Sequence, residues 1–174
     1  MYKNLKQNKS QELLLYNKIL SFSRNKLFYL QFGLEDTFQN RINLIFFHIS
    51  FLLIKLNRKS NNSIHRDFSQ KVFDIIFKHI DLNMREIGYG DTTVNKNMKF
   101  LIKAFYDILL NCENYSNKNS NSKYLFLLKY LSMKSSKKSS INNDLIDYFN
   151  KYQTFCLDLT LDNVLKGELG FNYK

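Results

Sequence analysis

The near-absence of residues that break helices most constrains the fold of this chain. Its 174 residues include no proline and only five glycines. All-β folds need frequent turns built on these two residue types, whereas helix interiors exclude them. Apolar residues also recur at helical spacing along most of the chain. The sequence therefore predicts an all-α protein of about six to seven helices.

The length favours one domain, because 174 residues can bury a sizeable core but rarely divide into two. We expect a polar lead over residues 1–10 and a single globular helical domain over residues 11–174. The lead lacks the apolar run of a secretory signal. The longest apolar run, Leu44 to Ile54, is shorter than the ~20 residues that span a bilayer. These features predict a soluble or peripheral protein.

The formal net charge of +11 favours an anionic partner, such as a membrane surface, ribosomal RNA or an acidic protein. Lysines outnumber arginines 21 to 5, a ratio that an AT-rich genome would also produce. A surface poor in arginine lacks the bidentate fork suited to phosphates and base edges, so we expect no DNA partner. Cys112 and Cys156 lie outside any C-x-x-C pattern and are expected to be unpaired core thiols.

A central helix is predicted between Asn40 and Leu56, where apolar side chains point in nearly every helical direction. Asp36 or Thr37 can cap its N-terminus. His48 lies on this helix with no second histidine nearby in the sequence. We therefore expect a hydrogen-bonded core or boundary histidine rather than a metal ligand.

A third helix from Ser63 to about Ile87 combines an apolar stripe with a charged face. The stripe comprises Phe68, Val72, Phe73, Ile76, Ile80, Met84 and Ile87. The charged face predicts a ladder of three i,i+4 ion pairs: Asp67 with Lys71, Asp74 with Lys78, and Asp81 with Arg85. His79 and Asp81 are two residues apart and face different ways on a helix, so this segment predicts no metal or acid–base site.

The turn Gly88-Tyr89-Gly90 follows this helix and resembles a phosphate loop only superficially, since it lacks a third glycine and a Gly-Lys-Ser/Thr ending. A helix C-cap joined to an N-cap explains both glycines. Asp91, Thr92 or Thr93 would then cap a fourth helix from Val94 to Leu110. Tyr89 and the aromatic residues Phe28, Tyr29 and Phe32 either form a contact surface or fill the core, which is the commoner fate.

The fourth helix carries a basic stripe of Lys96, Lys99 and Lys103 opposite its apolar side. This stripe is either an ordinary solvated face or a contact with lipid head groups or ribosomal RNA. Further along, we expect a fifth helix from Tyr124 to Met133 and a serine- and lysine-rich break over residues 134–140. A sixth helix near residues 141–156 and a short helical turn near residues 162–165 complete the chain.

Three blocks occur in an order that resembles the ubiquinol-cytochrome c chaperone family. The pattern Y-x-x-I-V-x-x-S-R-x-x-x-F-Y is matched by Tyr16, Ile19, Ser23, Arg24, Phe28 and Tyr29. The pattern F-G-V-P-D-T-x-x-G-R is matched by Phe32, Gly33, Asp36, Thr37 and Arg41. The pattern L-R-E-M-G-V-G-D is matched by Met84, Arg85, Glu86, Gly88, Gly90 and Asp91, with Asp81 just before it.

Further positions extend the resemblance. Lys99, Ala104, Phe105 and Tyr106 are similar to the family helix K-x-M-x-x-A-F-Y-G-R, and His48 matches a histidine that is usual in the central helix. The chain also departs from the family pattern. Glu35 replaces a proline, Asn40 and Asn95 replace glycines, and Asp107-Ile108 replaces Gly-Arg.

The resemblance implies an all-helical assembly factor that binds newly made cytochrome b for the ubiquinol-cytochrome c reductase complex, without enzymatic turnover or a cofactor. Mitochondrial relatives also work near the ribosomal tunnel exit. We expect a cytoplasmic protein peripheral to the inner membrane, or one on the matrix side in a eukaryote. The expected client or partner contact comprises Asp74, Asp81, Arg85, Glu86, Gly88, Tyr89, Gly90 and Asp91.

In this interpretation Lys96, Lys99 and Lys103 approach lipid or the ribosome. Two other classes of function stay open at this point. A basic accessory protein of the ribosome would bind ribosomal RNA in a strongly salt-dependent way. A small enzyme would need a pocket of its own, but the sequence indicates no catalytic residues for it.

Overall fold

The structure, a computed structural model, describes residues 10–57, 63–134 and 143–173. Its helices are α1 (Gln11–Ser23), α2 (Leu27–Leu30), α3 (Phe38–Asn57), α4 (Ser63–Glu86), α5 (Asp91–Glu113), α6 (Ser120–Tyr130), α7 (Asn143–Asp158) and α8 (Leu161–Lys166). A 3₁₀ turn, Tyr115–Asn117, follows α5. These ranges contain no β-strand beyond an isolated antiparallel bridge between Leu34 and Met133. The all-α prediction is confirmed.

Apart from the short α2, which the sequence analysis did not predict, the number of helices in the described residues agrees with the six to seven expected. This short helix buries Phe28, and its first amide, that of Leu27, donates to Asn25 Oδ1 at 3.0 Å. The fifth helix ends at Tyr130, earlier than predicted, and Met133 pairs with Leu34 instead. The predicted lead and the predicted break lie outside the described residues, except for Ser10 and Lys134.

Helix α3 is the centre of the fold, as predicted. Every residue from 42 to 54 is buried, and α1, α4, α5 and α7 pack around this helix. Thr37 caps it, because its Oγ1 accepts from the Asn40 amide at 3.2 Å. Asp36, the other candidate cap, accepts instead from the Arg41 guanidinium at 2.7 Å. Burial of so many large apolar side chains, each contributing roughly 1.5 to 3 kcal/mol at most, makes α3 the main source of hydrophobic stabilisation.

His48 is a fully buried core histidine, as expected. Its Nδ1 donates to the Leu44 carbonyl at 2.6 Å, and the Tyr148 hydroxyl donates to its Nε2 at 2.7 Å. Because burial penalises the charged imidazolium, the pKa of His48 falls from 6.5 to about 4. The neutral ring therefore links α3 to α7 through its hydrogen bond with Tyr148.

The two cysteines also match the expectation, since Cys112 and Cys156 are both buried free thiols. Burial raises the pKa of each thiol, which keeps both in the unreactive neutral form.

The charge ladder predicted on α4 is largely wrong. Asp81 pairs with Arg85 at 2.6 Å, but Lys71 lies 3.5 Å from Glu12 of α1, and Asp74 accepts from Gln70 at 2.8 Å. Helix α1 packs against α4 and brings its own carboxylate to the lysine, so tertiary contact replaces the local pair.

The apolar stripe of α4 is buried at Phe68, Val72, Ile76, Ile80 and Met84, and Phe73 is half-buried. The expectation for the last member was wrong, because Ile87 is 56% exposed. The helix ends at Glu86, so Ile87 no longer follows the helical register of the stripe.

Candidate functional site

The turn between α4 and α5 closes one helix and opens the next, as the glycines predicted. The Tyr89 amide donates to Met84 O and the Gly88 amide to Arg85 O, both at 3.0 Å, with Gly88 at φ +96°. This is the Schellman pattern of helix termination, in which the positive φ favours glycine. Helix α5 begins at Asp91, and Gly90 is its N-cap in an extended conformation. The prediction of a side-chain cap at positions 91 to 93 was therefore wrong.

Arg85 links the two helices that flank this turn. Its guanidinium contacts Asp81 one turn earlier on α4 and also pairs with Asp91 in the first turn of α5. Both carboxylates raise the pKa of the guanidinium, so Arg85 stays charged. Its Nε, Nη1 and Nη2 atoms each bond to one of these two carboxylates, so Arg85 helps to hold the turn in place.

The three family-like blocks meet at one cleft beside this turn. A cavity of about 230 Å³ between α1, α3 and α4 is lined by Tyr16, Ser23 and Arg24 of the first block, Arg41 of the second and Glu86 of the third. These residues are separated by up to 70 positions in the sequence, so their meeting results from the fold.

A second hollow of similar volume lies on the other side of the same turn. Its volume is about 250 Å³, and Thr37, Phe38, Met84, Tyr89 and Phe100 are among the residues that line it. Phe38 also lines the first cleft, so the two hollows adjoin.

We call the area around the turn the motif surface and define it by Arg24, Phe38, Arg41, Ile87 and Tyr89. Ile87 is 56% and Tyr89 42% exposed, while Arg24 and Arg41 are also at the surface. Adjacent exposed apolar side chains flanked by charges are typical of surfaces that bind other proteins.

The structure brings together most, but not all, of the residues expected at a contact site. Asp81, Arg85, Glu86, Gly88, Tyr89, Gly90 and Asp91 lie at or beside the turn, whereas Asp74 lies further back on α4, where it bonds to Gln70.

The other family-like residues have structural surroundings of their own. Asp36 and Arg41 form an exposed ion pair, which lowers the pKa of the Asp36 carboxyl. Gly33 has a φ of +74°, and its carbonyl accepts from the Lys134 amide at 2.9 Å. Tyr106 is half exposed, with its ring centroid 6.0 Å from that of Phe73.

The basic stripe is exposed along α5, and Lys96, Lys99 and Lys103 form no ion pair with any residue that the structure describes. Phe100 interrupts this stripe and is 66% exposed. The sequence analysis did not single out Phe100, although a signal was present: it follows Lys96 by four residues and precedes Lys103 by three, so it shares their helix face.

Arg24 and Phe38 were not expected at the site either, because only the packing of α1 against α3 and α4 brings them to the turn. Among the described residues, no group of three or more His, Cys, Asp or Glu side chains is arranged to hold a metal ion. Within the same ranges, none of the helices combines the length and apolar character needed to cross a bilayer.

Two comparisons with known proteins find relatives of this chain. The crystal structure of the Cbp3 homolog from Brucella abortus superimposes with a TM-score of 0.77 at 23% sequence identity, covering 94% of this chain and 89% of that one. This likeness supports the fold. A search of curated proteins finds no match. The family model described as ubiquinol-cytochrome C chaperone matches residues 30–151, which is well over half of the chain. The chain therefore belongs to the ubiquinol-cytochrome c chaperone family.

Proposed function

We propose that this protein binds unassembled cytochrome b at the motif surface and assists its entry into the ubiquinol-cytochrome c reductase complex, without catalytic turnover. The family membership supports an assembly role for that complex. The observation that carries the choice of surface is the meeting of all three family-like blocks around the turn at residues 87–90.

The chemistry of the motif surface suits a client with apolar segments. Ile87 and Tyr89 offer exposed apolar contact area on a turn that α4, α5 and Arg85 hold in place. A fixed aromatic side chain loses little conformational entropy on binding, which is why tyrosine is enriched among residues that dominate binding energy. Arg24 and Arg41 can add polar contacts at the edge of such an interface.

In this proposal the chain works at the cytoplasmic face of the inner membrane, where cytochrome b is inserted. The exposed lysines Lys96 and Lys99 support an approach to anionic head groups, since each basic residue near such a surface contributes ~1 kcal/mol. Contact with the ribosome would use the same positive charge.

A photo-crosslinking experiment tests the proposed surface. A photoreactive amino acid placed at Tyr89 should crosslink to cytochrome b in cells, whereas the same amino acid at Leu30, which is 75% exposed on α2, should not. Leu30 serves as a matched control because it is apolar, exposed and outside the motif surface.

Substitutions provide the quantitative test. Tyr89→Asp and Ile87→Asp should each lower the amount of co-purified cytochrome b about tenfold, since a carboxylate would be desolvated in the apolar contact. Leu30→Asp should leave it unchanged. Full recovery of cytochrome b by folded Tyr89→Asp and Ile87→Asp variants would remove the motif surface from consideration.

A further inference from the structure

A larger groove lies next to the motif surface and takes no part in the function proposed above. It has a volume of about 690 Å³ and opens between the first turns of α3, the middle of α5 and the end of α6. Its lining includes Gln39, Asn43, Phe100, Lys103, Asp107 and Leu128.

Hydrogen bonds between distant segments hold the walls of this groove in place. Asn40 Nδ2 donates to the carbonyls of Glu35 at 2.7 Å and Ser132 at 2.8 Å, and Asn40 Oδ1 accepts from the Ser132 amide at 2.8 Å. Asn43 Nδ2 donates to the Tyr130 carbonyl at 2.6 Å. These bonds fasten α3 to the end of α6, so the groove exists before any ligand enters. A pre-formed groove avoids the entropic cost of ordering a site on binding.

The charge inside the groove is unbalanced toward positive. Asp107 accepts from Lys129 Nζ at 2.5 Å and also from the Tyr130 hydroxyl, and these bonds lower the pKa of its carboxyl. Its negative charge is thus already compensated by Lys129. Lys103 forms no hydrogen bond or ion pair with a described residue, but its charge also contributes to lowering the pKa of Asp107. Two lysines and one carboxylate therefore leave the lining with a net positive charge.

The groove also has an apolar side. Phe100 is 66% exposed at its rim, and Leu128 and Ala104 are among its lining residues. Covering this exposed ring with a partner's apolar side chain would remove apolar surface from water and so favour binding. Phe100 and Lys103 are one helical turn apart, so a ligand that contacts both needs an apolar group next to an anionic one.

We propose that this groove is a docking site for an acidic amphipathic segment of a partner protein. An apolar side chain of that segment packs against Phe100 and Leu128, and a neighbouring carboxylate pairs with Lys103. Charge complementarity carries the choice of occupant, since the lining has a net positive charge beside apolar surface. A membrane surface is less suitable, because a flat array of head groups cannot fill a concave site of this volume.

Asn40 and Asp107 stand where the family pattern has glycines, and both shape this groove. The inference goes beyond the proposed function, because Lys103 and Leu128 line this groove but not the hollow beside Tyr89, whereas Phe100 lines both.

Selection of peptide ligands tests the proposal. A phage library of random dodecapeptides is panned against the full chain, and enriched peptides are synthesised with a fluorescent label for anisotropy titrations. Enriched sequences should carry an acidic residue within one helical turn of a large apolar residue. Lys103→Glu and Phe100→Asp should each weaken their binding about tenfold or more.

Matched variants guard against non-specific effects. Lys78→Glu makes the same change in charge at an exposed position of α4, and Leu30→Asp makes the same apolar-to-acidic change outside the groove; neither should alter peptide binding. Loss of binding equal to that of Lys103→Glu in the Lys78→Glu variant would overturn the proposal, because general charge attraction would then explain it. Failure to enrich any saturable ligand would overturn it as well.

Anionic vesicles provide the remaining arm of the experiment. Binding to phosphatidylglycerol vesicles that is abolished by Phe100→Asp and Lys103→Glu, without enrichment of acidic peptides, would assign the groove to the membrane and reject the docking of a protein segment. The assay uses no cytochrome b, so its outcome is independent of the test of the motif surface.

Discussion

Acidification is expected to destabilise this protein through His48. The imidazole is fully buried and neutral, with a pKa of about 4 against an ordinary value of 6.5. As the pH falls below 6.5, the unfolded chain therefore binds a proton that the folded protein does not accept. The stabilisation is fully present above pH 6.5 and is lost as the pH falls through the window down to about pH 4.

The size of this effect follows from the pKa difference. Relative to a neutral reference near pH 8, stability at about pH 5 should fall by roughly 2 kcal/mol, and the full loss below pH 4 is roughly 3 kcal/mol. Other groups also titrate in this range, so the wild-type change alone is not specific. The difference in pH dependence between the wild type and His48→Gln isolates the contribution of the imidazole.

Urea unfolding followed by far-ultraviolet circular dichroism at a series of pH values measures this difference. His48→Gln should be less stable than the wild type near neutral pH, because its side chain replaces the two hydrogen bonds of the ring imperfectly. It should nevertheless lose about 2 kcal/mol less on acidification. An identical pH dependence in both proteins, or a His48 imidazole that titrates near 6.5 by NMR, would refute the reasoning.

Three further perturbations have defined outcomes. Asn40→Ala removes three partly buried hydrogen bonds and should cost roughly 3 kcal/mol, seen as a fall in Tm of ~6 to 12 °C by calorimetry. A shift below ~1 °C would contradict this prediction. Gly88→Ala should destabilise the protein by ~1 to 2 kcal/mol, because Gly88 has a φ of +96°. Gly90→Ala, with open space around its Cα, should change stability by less than ~0.5 kcal/mol. Equal effects of the two substitutions in urea unfolding would contradict this prediction. The double variant Lys96→Glu, Lys99→Glu should lower co-sedimentation with phosphatidylglycerol vesicles at least about tenfold, and unchanged binding would exclude this stripe from the membrane contact.

The fold could be predicted from the sequence where the spacing of apolar residues determines where a helix packs. Helix α3 has apolar residues in every direction, and the only favourable place for such a helix is the centre. His48 on that helix had no second ligand nearby, and its burial followed from the position of the helix. The short α2 could not be predicted in the same way, because four residues are too few to establish a helical period.

Contacts between helices account for what the sequence did not show. Lys71 pairs with Glu12, and Asn40 bonds to Ser132, which is 92 residues away. Neither partner follows from local spacing. The turn at residues 88–91 was predictable, because glycine in the left-handed region has a local cause.

The motif surface was predicted only in part. Its turn follows from the local sequence, whereas Arg24 and Phe38 reach it through packing. Phe100 could have been found earlier, since its spacing from Lys96 and Lys103 places it on the basic face of α5.

Purification of the tagged protein from its own membranes, at low and at high salt, tests the central claim most directly. Mass spectrometry of the eluate should find cytochrome b enriched at both salt concentrations, because the proposed contact is largely apolar and weakly screened. Ribosomal proteins and ribosomal RNA that elute only at low salt, with no cytochrome b at either concentration, would contradict the account and identify a basic accessory protein of the ribosome instead.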